Sequence, residues 1–375
     1  MIEKYLHGLE IPKDELTPLE RMQLFDAGKE IDRIPCCLDT GETMAPLLGF
    51  SIKDYYHSAE KMCQLEEYLF ENFRSDGAGL STTLRGMAEA MGSEIRYFDD
   101  NIAQLKTPAL TLRTIDQAKL VDVEKDGRLP IILEGLRMVK KKLGDKVSIG
   151  GTVTGPFTVA AMVLGTENLM IGMIKKPEKI KQLMEVIVEN NNRYIQRLLD
   201  IGVGIGFADP VSSTSLISLE QYKTFSLPYF QKNVDFIKSQ GGGCGLHICG
   251  TSRKLWECLN GTGIGTFGLD NVEDLTEAKE VLGGHMCIQG NVPPVEVMRL
   301  GTPQDVLRSA RECIKKGHDS KCGFVLTSGC QMPMHTPKEN MLALMDAARI
   351  FGRYPLNKEL WEEENEEKKT VKIHY

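Results

Sequence analysis

Residues 243–291 read GCGLHICGTSRKLWECLNGTGIGTFGLDNVEDLTEAKEVLGGHMCIQGN. The apolar runs at 243–249, 264–270 and 286–290 have the length and Gly-bounded form of buried strands. Between them, 251–259 and 275–282 carry helical sequence. Strand, helix and strand in strict alternation imply a parallel sheet with its helices outside. The rhythm continues downstream with a helix at 302–317, a strand at 324–328 and a helix at 337–352. Upstream it gives strands at 203–209 and 148–154, the latter stopped by Gly155-Pro156, with helices over 218–240 and 157–200. Earlier strands are expected at 34–39 and 76–80, and helices at 58–73 and 130–143. Thr17-Pro18-Leu19-Glu20 supplies an N-cap, a proline in the first turn and an early acid, so a helix should run from there to about Gly28. Eight strands, each followed by helical sequence, point to an α/β fold of the closed (β/α)8, or TIM, barrel type. Residues 84–120 read as an insertion with short strands near 95–97 and 110–112. No linker or short repeat divides the chain, so residues 1–375 are expected to form one domain with N-terminal helices and a charged tail at 357–375.

Composition narrows the function. The chain has 375 residues, 42% of them hydrophobic, and a formal net charge of −7. It can bury a large core, and its acidic balance disfavours nucleic acid as a partner. No run of about 18 apolar residues suggests a membrane span, and the N-terminus lacks a secretory signal pattern. Ten cysteines are too sparse for a disulfide scaffold, which fits a reducing, cytoplasmic setting.

The strand C-termini carry the chemistry. Asp39, Gly155-Pro156, Asp209, His247, Cys249, Asp270, Asn291 and Cys330 stand there, and barrel enzymes collect reactive groups at that face. His247 and Cys249 are two residues apart on one strand, so their side chains share a face. Cys330 lies just past the last strand at the same end. A His, Cys, Cys set can hold zinc and leave a fourth position open. Singly, each residue also reads as a buried thiol or a core histidine. Zinc with two thiolates and a neutral imidazole carries no net charge. A thiol bound fourth would lose its proton near neutral pH and keep an electron-rich sulfur, which suits alkyl transfer to sulfur. The H-x-E and P-C-x-x-C signature of zinc deaminases is missing. Asp270 reads as a fourth ligand, a partner of His247 or a helix cap. Asp209 and Asn291 read as pocket groups or turn residues, and Met332, with Met334, as a soft lining. His335 reads as a helix-start residue, and His285 and His318 as solvent-facing.

The segment Gly245-Leu-His-Ile-Cys-Gly250 with the distant Cys330 resembles the H-x-C…C motif of methylcobamide:coenzyme M methyltransferases, within the uroporphyrinogen decarboxylase superfamily of (β/α)8 barrels. Thr154-Gly-Pro-Phe157, Ala208-Asp-Pro210, Ser218-Leu-Glu-Gln-Tyr222 with Leu227-Pro-Tyr229, and Gln289-Gly-Asn-Val-Pro293 agree with that superfamily. The resemblance runs from about residue 17 to 355. It implies zinc on His247, Cys249 and Cys330, while position at the strand ends makes Asp209, Asp270, Asn291 and Met332 the substrate-side candidates. It also implies a methyl group moved between a corrinoid (methylcobalamin) protein and a thiol or another small donor or acceptor, such as coenzyme M, tetrahydrofolate or a methylated compound. No D-x-H-x-x-G pattern for base-off cobalamin occurs, so the corrinoid is expected on a separate partner. The decarboxylases of the superfamily place paired arginines after the first strand, whereas Arg33-Ile-Pro-Cys-Cys-Leu-Asp-Thr-Gly41 stands here. A metal-free decarboxylase is the competing enzyme reading, and a non-catalytic zinc- or corrinoid-binding barrel the non-enzymatic one.

Overall fold

The strands β1 (Gly77–Ser81), β2 (Glu94–Arg96), β3 (Gln104–Thr107), β4 (Ser148–Thr154), β5 (Gly204–Ala208), β6 (Cys244–His247), β7 (Thr266–Gly268), β8 (Cys287–Val292) and β9 (Phe324–Ser328) appear in a computed structural model that describes residues 11–362. Seven of them form one sheet in the order β1-β4-β5-β6-β7-β8-β9, every neighbouring pair parallel. The eighth stave is Pro35–Cys37. Cys37 N donates to the Leu326 carbonyl and Leu326 N to that of Pro35, both at 2.9 Å, while Asp76 N donates to the Cys36 carbonyl at 3.0 Å. These bonds join β9 to β1 and close the barrel. The expected strand at 34–39 is therefore a single bridge, Cys36 to Leu326, because its flanks bond to side chains instead. Leu38 N, for example, donates to Ser75 Oγ at 3.1 Å.

Helices cover the outside for reasons visible in their ends. Thr17 and Glu20 form a reciprocal capping box on Pro18–Asp26, and Thr302 does the same with Asp305 on Pro303–Gly317. Each supplies acceptors to backbone N–H groups that a helix start leaves unpaired. Asp274 caps Leu275–Leu282. The expected helix at 218–240 contains a π-helical turn at Tyr222–Ser226. The insertion holds an antiparallel hairpin, β2 with β3. Its second strand lies at 104–107 rather than near 110–112. Leu110 instead packs as a loop residue, with its N–H on the Val163 carbonyl at 3.0 Å. The β2 and β3 side chains are mostly exposed, so no apolar alternation marks them. Among the described residues no single helix is long and apolar enough to cross a membrane. Residues 363–375 of the expected tail lie outside the described residues.

The end of the barrel where the strands begin is sealed by ions. Asp76, fully buried, accepts from Arg21 Nη1 at 2.6 Å, Arg33 Nη1 at 2.7 Å and Cys36 N at 2.7 Å. Asp32 and Asp14 complete the cluster around the same two arginines. This face reads as stability, and the opposite one, where the strands end, is left for chemistry.

Candidate metal centre

His247 ends β6 and Cys249 follows it, with His247 Nε2 3.1 Å from Cys249 Sγ. Cys330 lies two residues past β9, its Sγ 3.7 Å from that of Cys249. The donor atoms of all three fall within 4.8 Å of one another, and no other residue joins the group among the described ones. A tetrahedral site with Zn–S near 2.3 Å has S···S edges of about 3.8 Å and N···S edges of about 3.6 Å. The sulfur pair already matches this spacing, and the imidazole stands about half an ångström too close. The donor set and its geometry fit zinc.

The imidazole is oriented from behind. Nδ1 donates to the Gly268 carbonyl at 2.9 Å, which leaves Nε2 facing the thiols as the atom a metal would bind once it displaced the proton there. A Cβ at Gly268 would stand 3.1 Å from Nδ1, so a glycine there lets the ring lie close to β7. Burial opposes a positive charge on His247. The hydrogen bond and charge of Cys330, then Asp39, overcome that and raise it to about 9. Within the thiol pair, the hydrogen bond from Cys249 holds Cys330 low, and the same bond with burial pushes Cys249 up. The three side chains thus favour one thiolate before any cation adds its field.

The third ligand is held by the barrel's closure. Segment 39–43, past the first stave, clamps segment 330–332. Met332 N donates to the Asp39 carbonyl at 2.8 Å, Thr43 Oγ1 to the Met332 carbonyl at 2.8 Å, and Gln331 Nε2 to Glu42 Oε2 at 3.2 Å. Glu42 also accepts from the Tyr56 hydroxyl at 3.3 Å. Sequence reasoning passed over Glu42 and Gln331, although Gln331 adjoins a ligand and Glu42 follows Asp39 by three. Asp39 is open to solvent in the mouth.

The remaining candidates hold loops. Asp270 accepts from Gly250 N at 2.7 Å and Val272 N at 3.1 Å, fixing the turn just after Cys249. The cap at 275 is Asp274. Asn291 Nδ2 donates to the Glu273 carbonyl at 2.9 Å and to that of Asp270 at 3.3 Å. Asp209 accepts from Thr158 N at 2.8 Å and Thr158 Oγ1 at 2.6 Å, inside the first turn of the helix Pro156–Leu164. Met332 packs fully buried in the core. His285 and His335 are exposed. His318 is half-buried, its ring 4.6 Å from that of Trp361.

Residues 17–351 match the uroporphyrinogen decarboxylase (URO-D) family. A methylcobamide:CoM methyltransferase of Methanosarcina barkeri is 27% identical over 339 residues, covering 89% of this chain and 98% of the relative. A uroporphyrinogen decarboxylase of a Synechococcus species is 26% identical over 288 residues, covering 75% of this chain and 80% of the relative. The solved structure of a methyltransferase from Methanosarcina mazei superposes with a TM-score of 0.81 at 26% identity, over 89% of this chain and 98% of that one. The chain therefore belongs to the uroporphyrinogen decarboxylase family, in the branch that holds the methylcobamide:CoM methyltransferases.

Proposed function

We propose that the protein is a zinc-dependent methyltransferase that moves a methyl group between a separate corrinoid protein and a small sulfur compound. The observation that carries this is the convergence of His247, Cys249 and Cys330 at the barrel mouth, with the sulfurs 3.7 Å apart. Zinc bound there would hold a substrate thiol as its thiolate at neutral pH. A corrinoid partner would supply the methyl group to that sulfur, the pair of the cobalt–carbon bond staying with its cobalt. The thiol proton leaves to solvent. The chain's own work is positioning: Gly268 orients His247, Asp270 fixes the turn after Cys249, and the 39–43 segment fixes Cys330.

Leu216, Val272 and Val295, in the segments that follow β5, β7 and β8, are 56%, 60% and 43% exposed. The competing decarboxylase reading loses its substrate clamp here. Arg33, the one arginine in residues 33–41, is 1% exposed and bonded to Asp14 and Asp76. A cytoplasmic setting, where thiols stay reduced, belongs to the same proposal.

The test is metal content and methyl transfer measured together. Wild-type protein, loaded with zinc under reducing conditions, should hold about one zinc per chain. It should transfer methyl from methylcobalamin to 2-mercaptoethanesulfonate, and Cys330→Ala should lose both properties. A wild type that binds no zinc, or binds it and moves no methyl group from free or protein-bound methylcorrinoid to a thiol, overturns the proposal.

A further inference from the structure

A barrel of this type ordinarily fills its interior with bulky branched side chains. Here β1, β4, β5, β6 and β7 do not. Leu80, Gly151 and Phe207 face the outer helices. A Cβ at Gly135 would meet Leu80, one at Gly151 would meet Leu198, and the Phe207 and Phe230 rings lie 5.2 Å apart. Alternation turns their neighbours toward the axis, and these are Gly79, Gly150, Thr152, Gly206 and Ala208. Gly245 and Gly268 continue the lining around His247, whose ring a Cβ at Gly268 would meet at 3.1 Å. Each of these inward positions is half-buried, whereas Leu80, Gly151 and Phe207 are buried. Solvent therefore reaches the axis of the barrel.

Nothing local calls for the glycines. Gly150 and Gly206 lack the positive φ that favours this residue, and a Cβ on either would come no closer than 4.0 Å to a described atom. Glycine inside a strand weakens it, and a common reason for it there is the close approach of another group. A buried polar side chain faces the same space. Phe324 packs outward on Gly317, which turns Thr327, three residues on, inward. Thr327 is 8% exposed, and its Oγ1 has no hydrogen-bond partner among the described residues. Thr152, Thr266 and Gln289, half-buried on the same lining, bond through their side chains to none of the described residues. No strand of the seven-stranded sheet contains Asp, Glu, Lys or Arg, so a charge brought into the lumen meets no countercharge from the strands.

We propose that this lumen holds the body of the small sulfur compound, and that the body is an uncharged chain bearing a hydroxyl or an amide. This rests on the methyl-transfer reading and names its substrate class. A methyl group carried on a protein reaches the metal centre through the mouth, and a displacement needs sulfur, carbon and leaving atom aligned. The rest of the substrate then points away from the mouth, past His247 and toward Gly206, which pairs with Gly245 two residues before that histidine. There Thr152, Gln289 and Thr327 supply its hydrogen bonds.

The experiment compares zinc-loaded wild type, Gly206→Val and Gly150→Val with methylcobalamin as donor. The acceptors are N-acetylcysteamine, an uncharged amide thiol, 2-mercaptoethanesulfonate, an anionic one, and ethanethiol, which has no polar body. The wild type should show a kcat/KM for N-acetylcysteamine about tenfold or more above that for either of the others. Each valine should cut the preference over ethanethiol by about fivefold or more. The melting temperature should hold or rise, because valine suits a strand and fills empty space. A wild type that favours the sulfonate overturns the proposal, as does a variant that folds and keeps the preference. A lower melting temperature in both variants would show that the space is already filled, and overturns it too. A direct measurement stands apart from turnover. N-acetylethanolamine, which has no sulfur, should raise the melting temperature of the wild type and not that of the variants. No response in the wild type, or the same one in all three proteins, overturns the lumen site. That response without any methyl transfer overturns the functional reading and leaves the lumen site standing.

Discussion

Gly155 stands where no other residue fits. A Cβ there would lie 2.2 Å from Asp209 Cγ, so the carboxylate occupies the place of a side chain and reaches the Thr158 N–H and hydroxyl. Gly155→Ala must displace that carboxylate, and the variant should lose about 1–3 kcal/mol of unfolding free energy in denaturant titration. A loss below half a kilocalorie would refute the tight fit. Asp209 itself is 2% exposed, and burial pushes its carboxyl up to about 6 against the lowering bonds from Thr158 and Phe157. The folded chain holds this proton more tightly than the unfolded one, whose carboxyl titrates at its ordinary value near 3.8. Its contribution to stability is therefore greatest below the unfolded value and declines as pH rises to about 6. Asp209→Asn lacks that decline. From pH 5 to pH 8 the stability difference should move in favour of the variant by about 1.4 kcal/mol. A difference constant with pH would place the proton elsewhere.

Elements, rather than single residues, set the position of the third ligand. The end of β6 delivers His247 and, two residues on, Cys249, which the turn fixed by Asp270 keeps beside it. Cys330 comes from a different strand, and its place depends on how the barrel closes. Glu42, 5% exposed, holds Gln331 with one oxygen and Tyr56 with the other. Glu42→Gln should bind zinc about tenfold more weakly in chelator competition while keeping its circular dichroism spectrum, as changes behind a metal ligand commonly do. Unchanged affinity would show that β9 alone holds Cys330. Removal of Asp270 acts on the other side of the site. Asp270→Ala frees Gly250 N and should also weaken zinc binding, with a smaller effect on stability than Gly155→Ala.

The whole molecule depends on joining its first stave to its last at the end opposite the site. Asp76 gathers two buried arginines and the Cys36 N–H, and the stave it holds is the one that both closes the barrel and reaches over to Cys330. Asp76→Asn leaves two guanidinium groups short of charge in a buried setting. It should cost about 3–5 kcal/mol, read as a lower melting temperature. Because closure feeds the metal centre, the same variant should also lose zinc more readily than the wild type at temperatures where both stay folded. A stable variant with unchanged metal retention would mean that bottom and mouth are independent.

Local pattern determined much of this protein. Strand–helix alternation over 243–291 and its neighbours marks the parallel barrel, since burial on both faces of a strand and one face of a helix leaves periodic apolar runs in the chain. The spacing of His247 and Cys249 places them on one face for the same local reason, and the segments around them carry the family likeness. Tertiary structure decided the rest. The eighth stave is a single bridge whose flanks bond to side chains distant in sequence, so no run of strand-forming residues reveals its true extent. The hairpin at 94–107 lies on the surface, where no burial imposes alternation. Of the candidates at strand ends, Asp270 and Asn291 bond the backbone of neighbouring loops, and Asp209 bonds Thr158 in the first turn of a helix. Whether a polar group is free or engaged depends on residues brought together from distant parts of the chain, and only the folded arrangement of loops over the barrel settles it.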